Sequence, residues 1–174
     1  MNITDYIKPV AAAIILAAAA FSGQSVAAQT QKGEKSFGPR VGYVSRNQSA
    51  LVGLGFQYSF SSHVRIAPSA DIIFRHRDKD GIAVNLDIHF PISIAPRASF
   101  YPLAGFNYTS WGLHNNDADS GKDVTTHSNS VGLNAGAGID YRCTSSLKLA
   151  LEARYTLIRH YPTAFVAASI AYVF

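Results

Sequence analysis

The chain has 174 residues, with 15 Lys or Arg against 11 Asp or Glu and a formal net charge of +4 at neutral pH. This length fits a single domain and excludes a modular protein. Only 15% of the residues are charged and 48% are hydrophobic, which excludes a disordered chain and a charged coiled coil. The mean hydropathy of +0.07 indicates that apolar and polar residues are interleaved, unlike in a bundle of membrane helices. The positive charge is too dispersed for a nucleic-acid surface, so we expect no nucleic-acid partner.

The N-terminal residues predict an export signal. Residues 10–21 read VAAAIILAAAAF and are followed by the small and polar stretch SGQSVAA. This run suits a secretory signal peptide and is shorter than the roughly 20 apolar residues of a spanning helix. We therefore expect a signal peptide over residues 1–28, cleaved near Ala28, and a short N-terminal segment over 29–36. The alternative is a buried N-terminal helix.

From residue 37 onward, apolar residues recur at every second position, which predicts β-strands. The segment 82–90 sets Ile82, Val84, Leu86, Ile88 and Phe90 against Ala83, Asn85, Asp87 and His89. Eight strands are predicted, over about 37–46, 50–60, 64–74, 82–90, 98–110, 131–141, 147–157 and 163–174. Strands of about ten residues fit a tilted bilayer crossing, whereas soluble strands average five or six. The predicted fold is all-β: an eight-stranded antiparallel up-and-down transmembrane β-barrel over 37–174.

The connections between these strands alternate in length. Short turns are predicted at 61–63 and 144–146, with the proline-containing 91–97 between them, and the opposite end carries 75–81 and the 16-residue 114–129. Barrels in outer membranes have short periplasmic turns and longer external loops. Periplasmic termini would place 75–81 and 114–129 outside. Aromatic residues at both predicted strand ends favour the same topology, because such rings prefer the membrane interface.

The end of the chain carries a family resemblance. The last strand closes on Phe174, with Tyr172 and Ile170 at alternate positions, and resembles the C-terminal targeting signal of bacterial outer-membrane proteins. With YPLAGFNY at 101–108 and VGLNAGAGIDYR at 131–142, the chain resembles the small eight-stranded barrels of the OmpA, OmpX and opacity-protein type. It is identified as a member of the outer-membrane β-barrel, or porin-like, domain family.

This resemblance implies a place in the outer membrane of a Gram-negative bacterium, in contact with lipid and lipopolysaccharide. It also implies insertion by the barrel-assembly machinery, which would read Ile170, Tyr172 and Phe174 as an assembly signal. The family has no single biochemical function. The resemblance therefore predicts the fold and the location of the chain and leaves its activity open.

The inward faces of the predicted strands carry charges of both signs. Eight strands enclose only enough space for side chains, so we expect a packed lumen without a large pore. Buried charges must pair, because a lone ion in a low dielectric is costly. We expect a polar lumen network that holds the barrel closed; the alternative is a gated ion path through the same groups. The predicted members are Arg40, Arg65, Asp71, Asp87, Asp140, Arg142, Lys148, Glu152 and Arg154, with Asn85, His89 and Asn134 among them.

Two predicted outer loops are candidate binding surfaces. Arg75, Arg77 and Lys79 form a basic loop that is suited to the phosphates of lipopolysaccharide, since Arg can contact a phosphate through two N–H groups. The loop 114–129 is long enough to bind a surface partner. We expect the barrel itself to be a monomer.

Signals for catalysis and metal binding are weak. His127 and Ser128 invite comparison with outer-membrane lipid A deacylases, but they are adjacent in a polar loop and no oriented acid is evident. Asp117, Asp119 and Asp123 lack the glycine and glutamate positions of a calcium-binding loop. We expect no catalytic residue, no metal site and no cofactor.

Three functional classes remain. The leading interpretation is a non-enzymatic outer-membrane barrel that contributes to envelope structure or to surface interaction through 114–129. The second is an outer-membrane enzyme that acts on lipid, which would require a lipid-facing nucleophile beside a His and an acid. The third is a secreted soluble barrel that carries a ligand, in which the apolar faces would point inward.

Overall fold

A computed structural model describes residues 31–46, 48–76, 79–116, 123–158 and 162–174. The predicted signal peptide, residues 1–28, lies outside the described residues. Within the described residues, no helix is long and apolar enough to cross a membrane. The described chain forms strands β1 (Lys35–Val44), β2 (Ser49–Ser59), β3 (Arg65–His76), β4 (Lys79–His89), β5 (Ile92–Ala95), β6 (Ala98–Asn116), β7 (Asp123–Arg142), β8 (Leu147–Ile158) and β9 (Thr163–Val173).

Eight of these strands close into an antiparallel barrel. Strands β1 to β4 pair in chain order, β4 pairs with β6, and β6 to β9 pair in chain order before β9 returns to β1. At this seam the Lys35 N–H donates to the Phe174 carbonyl (3.2 Å) and the Phe174 N–H donates to the Lys35 carbonyl (2.9 Å). Strand β5 is a short appendage that pairs with the start of β6. The predicted eight-stranded barrel is confirmed.

Alternation along each strand separates the inside of the barrel from the outside, because successive side chains of a strand point to opposite faces. In β4, Leu86 is 47% exposed and the next residue, Asp87, is 2% exposed. Among the described residues, most of the large apolar side chains lie outside and most of the charged ones lie inside. This arrangement is the reverse of a soluble ligand-carrying barrel, so the third functional class is wrong.

Aromatic side chains surround the outer surface near both ends of the barrel. We call the end where β1 begins and β9 ends the terminal end, and the other the hairpin end. The exposed rings of the terminal end include those of Phe37, Phe60, Phe90, Phe100, Tyr172 and Phe174, and those of the hairpin end include Tyr43, Phe74, Tyr108 and Tyr155. Such belts suit a barrel whose apolar band spans a bilayer.

The strands extend further at the hairpin end than the sequence predicts. Strand β3 reaches His76 and β4 begins at Lys79, so the predicted loop 75–81 is mostly strand. The predicted loop 114–129 is also mostly strand, because the β6–β7 ladder continues to the pair Asn116–Asp123. Both segments are polar and lack the apolar alternation that indicates a strand with one buried face. Backbone pairing, which a polar sequence does not reveal, holds them together.

The β6–β7 hairpin extends well past the described end of β8 and, by three residue pairs, past the start of β4. The last pair between β7 and β8 is Gly132–Ile158, whereas β7 begins at Asp123. The part of β7 over 123–131 therefore has no β8 partner and extends roughly 30 Å along the strand, at about 3.3 Å per residue. On its other side, β4 accompanies β6 as far as Leu113. The result is a long paired hairpin at one edge of the rim.

Candidate functional site: the polar lumen

The terminal end of the lumen is closed by an ion pair that the sequence pattern does not predict. Glu34 precedes β1, and its carboxylate accepts a hydrogen bond from the Arg142 guanidinium. The Lys148 Nζ lies 3.8 Å from the other carboxylate oxygen of Glu34 and donates to Gln57 Oε1 at 2.7 Å. Glu34 has the same parity as the inward residues Ser36 and Arg40. Extending the alternation of β1 backward by one position would have placed it in the lumen.

A second group of contacting side chains is centred on Arg65, at the start of β3. The Arg65 NH1 donates to Asp140 Oδ2 at 2.5 Å, and its Nε donates to His89 Nδ1 at 3.1 Å. The guanidinium carbon lies 4.4 Å from the centre of the Tyr101 ring, and the His89 ring stacks on Tyr101 at 4.5 Å. Arg65 therefore connects β3, β4, β6 and β7 across the interior.

The centre of the lumen is a network of five charged side chains. Arg154 is its hub: its NH2 lies 3.1 Å from Asp71 Oδ2, and its NH1 lies 3.3 Å from Asp87 Oδ2 and 3.6 Å from Glu152 Oε1. Arg40 joins the network from β1, with its Nε 3.1 Å from Asp71 Oδ1 and its NH2 3.3 Å from Glu152 Oε1. All five side chains are buried. Two cations thus face three carboxylates.

Amide and hydroxyl groups continue this network toward the hairpin end. The Asn134 side chain donates to Asp87 Oδ1 (2.8 Å) and to Asn85 Oδ1 (3.2 Å), and Asn107 also donates to Asn85 Oδ1 (2.7 Å). Thr156 Oγ1 donates to the side-chain oxygen Oδ1 of Asn134 at 2.7 Å. Because neutral amides and hydroxyls both donate and accept, they satisfy the carboxylates without adding charge.

The hairpin end of the lumen is sealed by apolar side chains, which we call the apolar plug. Its members are Val44, Leu51, Ile73, Ala83 and Phe165, with the partly buried Trp111 packed against them. The Arg154 guanidinium carbon lies 5.1 Å from the centre of the Phe165 ring, so the plug rests directly on the charged network. The sequence pattern does not reveal the plug, because an inward apolar residue resembles a lipid-facing one.

The charges of the lumen balance. The ion pairs of the described residues join five carboxylates to five cations: Glu34, Asp71, Asp87, Asp140 and Glu152 with Arg40, Arg65, Arg142, Lys148 and Arg154. Unpaired ions would be very costly in this interior. This arrangement tethers strands to one another across the barrel.

Two of the predicted outer binding residues lie at the hairpin end: Arg75 is the penultimate residue of β3, and Lys79 begins β4. Arg77 lies outside the described residues. The predicted assembly-signal residues are all exposed: Ile170 and Tyr172 on the outer face of β9, and Phe174 directly after it.

The residues considered for catalysis and calcium binding lie in or beside the projecting hairpin. His127 and Ser128 are part of β7 and not of a loop, because β7 pairs with β6 through both of them. Asp123 begins β7, and Asp117 and Asp119 lie outside the described residues. Among the residues described, no group of three or more His, Cys, Asp or Glu side chains could hold a metal ion.

Solved structures with similar folds are small membrane barrels. The N-terminal β-barrel domain of Pseudomonas aeruginosa OprF matches with a TM-score of 0.64 and 15% identity, over 83% of this chain and all of that one. Neisserial surface protein A matches with a TM-score of 0.63 and 13% identity, over 81% of this chain and 96% of that one. Ail, the attachment invasion locus protein of Yersinia pestis, has a TM-score of 0.60 and 16% identity, over 83% of this chain and 100% of that one. At these identities the likeness shows the fold.

The sequence itself supplies the family assignment. No protein with curated annotation is significantly similar to the chain. The profile of the family described as "Outer membrane protein beta-barrel domain" matches residues 10–174, which include every strand of the barrel. The resemblance predicted from the last strand is therefore confirmed, and the chain belongs to the outer-membrane β-barrel domain family.

Proposed function

We propose that the protein is a non-enzymatic outer-membrane barrel that contributes to envelope structure and presents the β6–β7 hairpin to the outside for surface interaction. The β6–β7 hairpin carries this proposal, because in the described part of the chain it extends past the start of β4 and the end of β8. A rigid, sealed wall beneath it gives the hairpin a fixed position. The lumen then serves stability and not transport.

Three layers of the lumen support a barrel that does not conduct. The pair Glu34–Arg142 lies across the terminal end, the central network pairs its charges, and the apolar plug lies across the hairpin end. A gated ion path would require the plug to hydrate as well as the ion pairs to separate. Each step exposes groups that are now paired or packed, so the closed state is strongly favoured.

Conductance measurements test this part of the proposal. The refolded chain is added to planar lipid bilayers, with a general porin as the positive control. We expect no stepwise current from the chain at voltages at which the porin conducts. Discrete openings of the unmodified chain would contradict the sealed lumen and favour the gated ion path.

The hairpin suits surface interaction because its exposed groups are polar and its backbone is held by a ladder. Ser128 and Asn129 are exposed on β7, next to a stretch rich in Asn, Asp, Ser and Thr. A paired hairpin loses less conformational entropy on binding than a free loop of equal length. A surface partner would therefore bind the segment 114–129 as a paired β-hairpin and not as a free loop.

Export and orientation form the next part of the proposal. A signal peptide over residues 1–28 would direct export of the chain to the periplasm and would then be cleaved. Insertion into the outer membrane would leave the terminal end in the periplasm and the β6–β7 hairpin outside. The apolar run at 10–21 and the family assignment support this arrangement.

Cysteine labelling on intact cells tests the orientation. Cys143 is changed to Ser, and a single cysteine is then placed at Ser128 in the hairpin or at Ser145 in the turn before β8, two exposed positions at opposite ends. A maleimide polymer too large for general porins should label Ser128→Cys on intact cells and Ser145→Cys only after the outer membrane is permeabilised. The reverse pattern would overturn the orientation.

We also propose that Arg75, Arg77 and Lys79 contact lipopolysaccharide phosphates. The end of β3 and the start of β4 lie at the hairpin end, which the proposed orientation places beside the outer leaflet. Lipopolysaccharide should raise the thermal unfolding temperature of the barrel in micelles, and Arg75→Ser with Arg77→Ser should reduce this shift. Lys32→Ser with Lys35→Ser, at the terminal end, is the matched control. Equal losses from both pairs would contradict a specific contact.

A further inference from the structure

The lumen contains a small cavity next to the charged network. Its volume is about 30 Å³, and its wall includes Arg40, Gln57, His89, Tyr101 and Glu152. One water molecule requires about 10–15 Å³ measured in this way. The cavity is therefore large enough for ordered water, and its wall is polar enough to bind it.

His89 presents a hydrogen-bond donor to this cavity. Because Arg65 Nε donates to His89 Nδ1 at 3.1 Å, Nδ1 must be the accepting nitrogen, and the neutral ring carries its proton on Nε2. Among the described residues, the buried Nε2 has no hydrogen-bond partner. Glu152 Oε2 lies 3.8 Å away, beyond hydrogen-bond distance.

Glu152 presents the matching acceptor. Its Oε2 accepts a hydrogen bond from the Tyr101 hydroxyl at 3.3 Å, and a carboxylate oxygen can accept a second one. The gap between His89 and Glu152 thus separates a buried N–H from an oxygen with spare capacity. Ordered buried water commonly satisfies polar groups of this kind.

The β2–β3 ladder is interrupted beside the same cavity. The β2–β3 ladder pairs Gly55 with Ser69 and next Tyr58 with Ile66, so it skips the two positions between them. Pro68 lies in this gap and has no N–H to contribute. The residues of the gap also line the cavity: Phe56, Gln57, Ala67 and Pro68.

We propose that an ordered water molecule in this cavity bridges His89 Nε2 and Glu152 Oε2. It accepts the N–H of His89 and donates to Glu152. The bridge joins the Arg65 group to the central network, so that a chain of hydrogen bonds and ion pairs runs from Asp140 to Asp71. Water fits better than an ion, because a cation would adjoin Arg40 and an anion would adjoin Asp87 and Glu152.

A crystal structure at a resolution that shows ordered water tests the site directly. We expect density within about 2.7–3.2 Å of both His89 Nε2 and Glu152 Oε2. An empty cavity, or a direct His89–Glu152 hydrogen bond without intervening density, would overturn the proposal. Crystals soaked in rubidium bromide separate water from an ion, because anomalous signal at the site would assign it to an ion instead.

A pair of variants at Gly55 provides a test in solution. A β-carbon at this position meets only Arg40 Cδ, at 3.9 Å, so Gly55→Ala is accommodated and Gly55→Val reaches into the cavity. Filling a dry cavity would stabilise the barrel, whereas displacing the water would leave His89 Nε2 without a partner. We expect a lower urea midpoint for Gly55→Val than for Gly55→Ala. An equal or higher midpoint for Gly55→Val would contradict bound water.

Discussion

Gly53 lies directly opposite Asp71 in the β2–β3 pair, and opposite Arg40 in the β1–β2 pair. The ion pair between Arg40 Nε and Asp71 Oδ1, 3.1 Å long, therefore crosses the one strand that separates the two residues. A β-carbon at Gly53 would lie 2.2 Å from Asp71 Oδ1. The glycine provides the space in which the ion pair forms.

The same pairing of a glycine with a charged residue recurs around the barrel. Gly105 is opposite Asp87, Gly136 is opposite Arg154, and Gly138 is opposite Glu152. Each member of the central network thus has a glycine beside it on a neighbouring strand. Small residues at these inward positions are a steric requirement of a charged lumen in a barrel this narrow.

Alanine substitutions at two inward glycines of β2 test this steric role. Gly53→Ala should lower the free energy of unfolding by about 1–3 kcal/mol, because the methyl group displaces Asp71. Gly55→Ala should change it by less than about 1 kcal/mol, since the added methyl has room and the unfolded chain loses freedom. Urea unfolding in micelles, followed by the fluorescence of Trp111, measures both. Equal effects of the two variants would contradict the steric argument.

The alternation of residues predicts the barrel and the inward face of β4, since burial on one face alone produces a period of two. It does not predict the pairing of Arg65 with Asp140, which lie on β3 and β7. That contact depends on strand register and barrel closure. The inward position of Leu51 and Phe165 is not predicted for another reason. The plug inside the barrel and the outer face of the wall are both apolar, so residue type does not distinguish an inward residue from a lipid-facing one.

The hub position of Arg154 predicts a large effect of its removal. Arg154→Met leaves Asp71 and Asp87 buried with too few cations, and should cost about 3–5 kcal/mol of unfolding free energy. Adding Asp87→Asn should restore part of this loss, because one unpaired charge is removed. Lys35→Met, at an exposed position, is the control and should change stability little. An Arg154→Met variant as stable as the control would contradict the hub role.

The apolar plug should contribute to stability like a protein core. Leu51 is 2% exposed and Leu54, on the same strand, is 51% exposed. Leu51→Ala creates a cavity and should cost about 2–5 kcal/mol, while Leu54→Ala should cost clearly less because its side chain faces detergent. Denaturant unfolding in micelles compares the two. Similar losses would indicate that the plug is loosely packed.

A substitution at Phe174 distinguishes a role in assembly from a role in stability. Its backbone closes the seam with Lys35, but its side chain is 62% exposed, with its ring 6.2 Å from that of Tyr172. Phe174→Ala should therefore lower the unfolding free energy in micelles by less than about 1 kcal/mol. In cells it should strongly reduce the amount of folded, heat-modifiable barrel if the assembly machinery reads the last strand. Phe60→Ala, at a ring 54% exposed at the same end, is the control; an equal loss of folded barrel in that variant would count against an assembly signal.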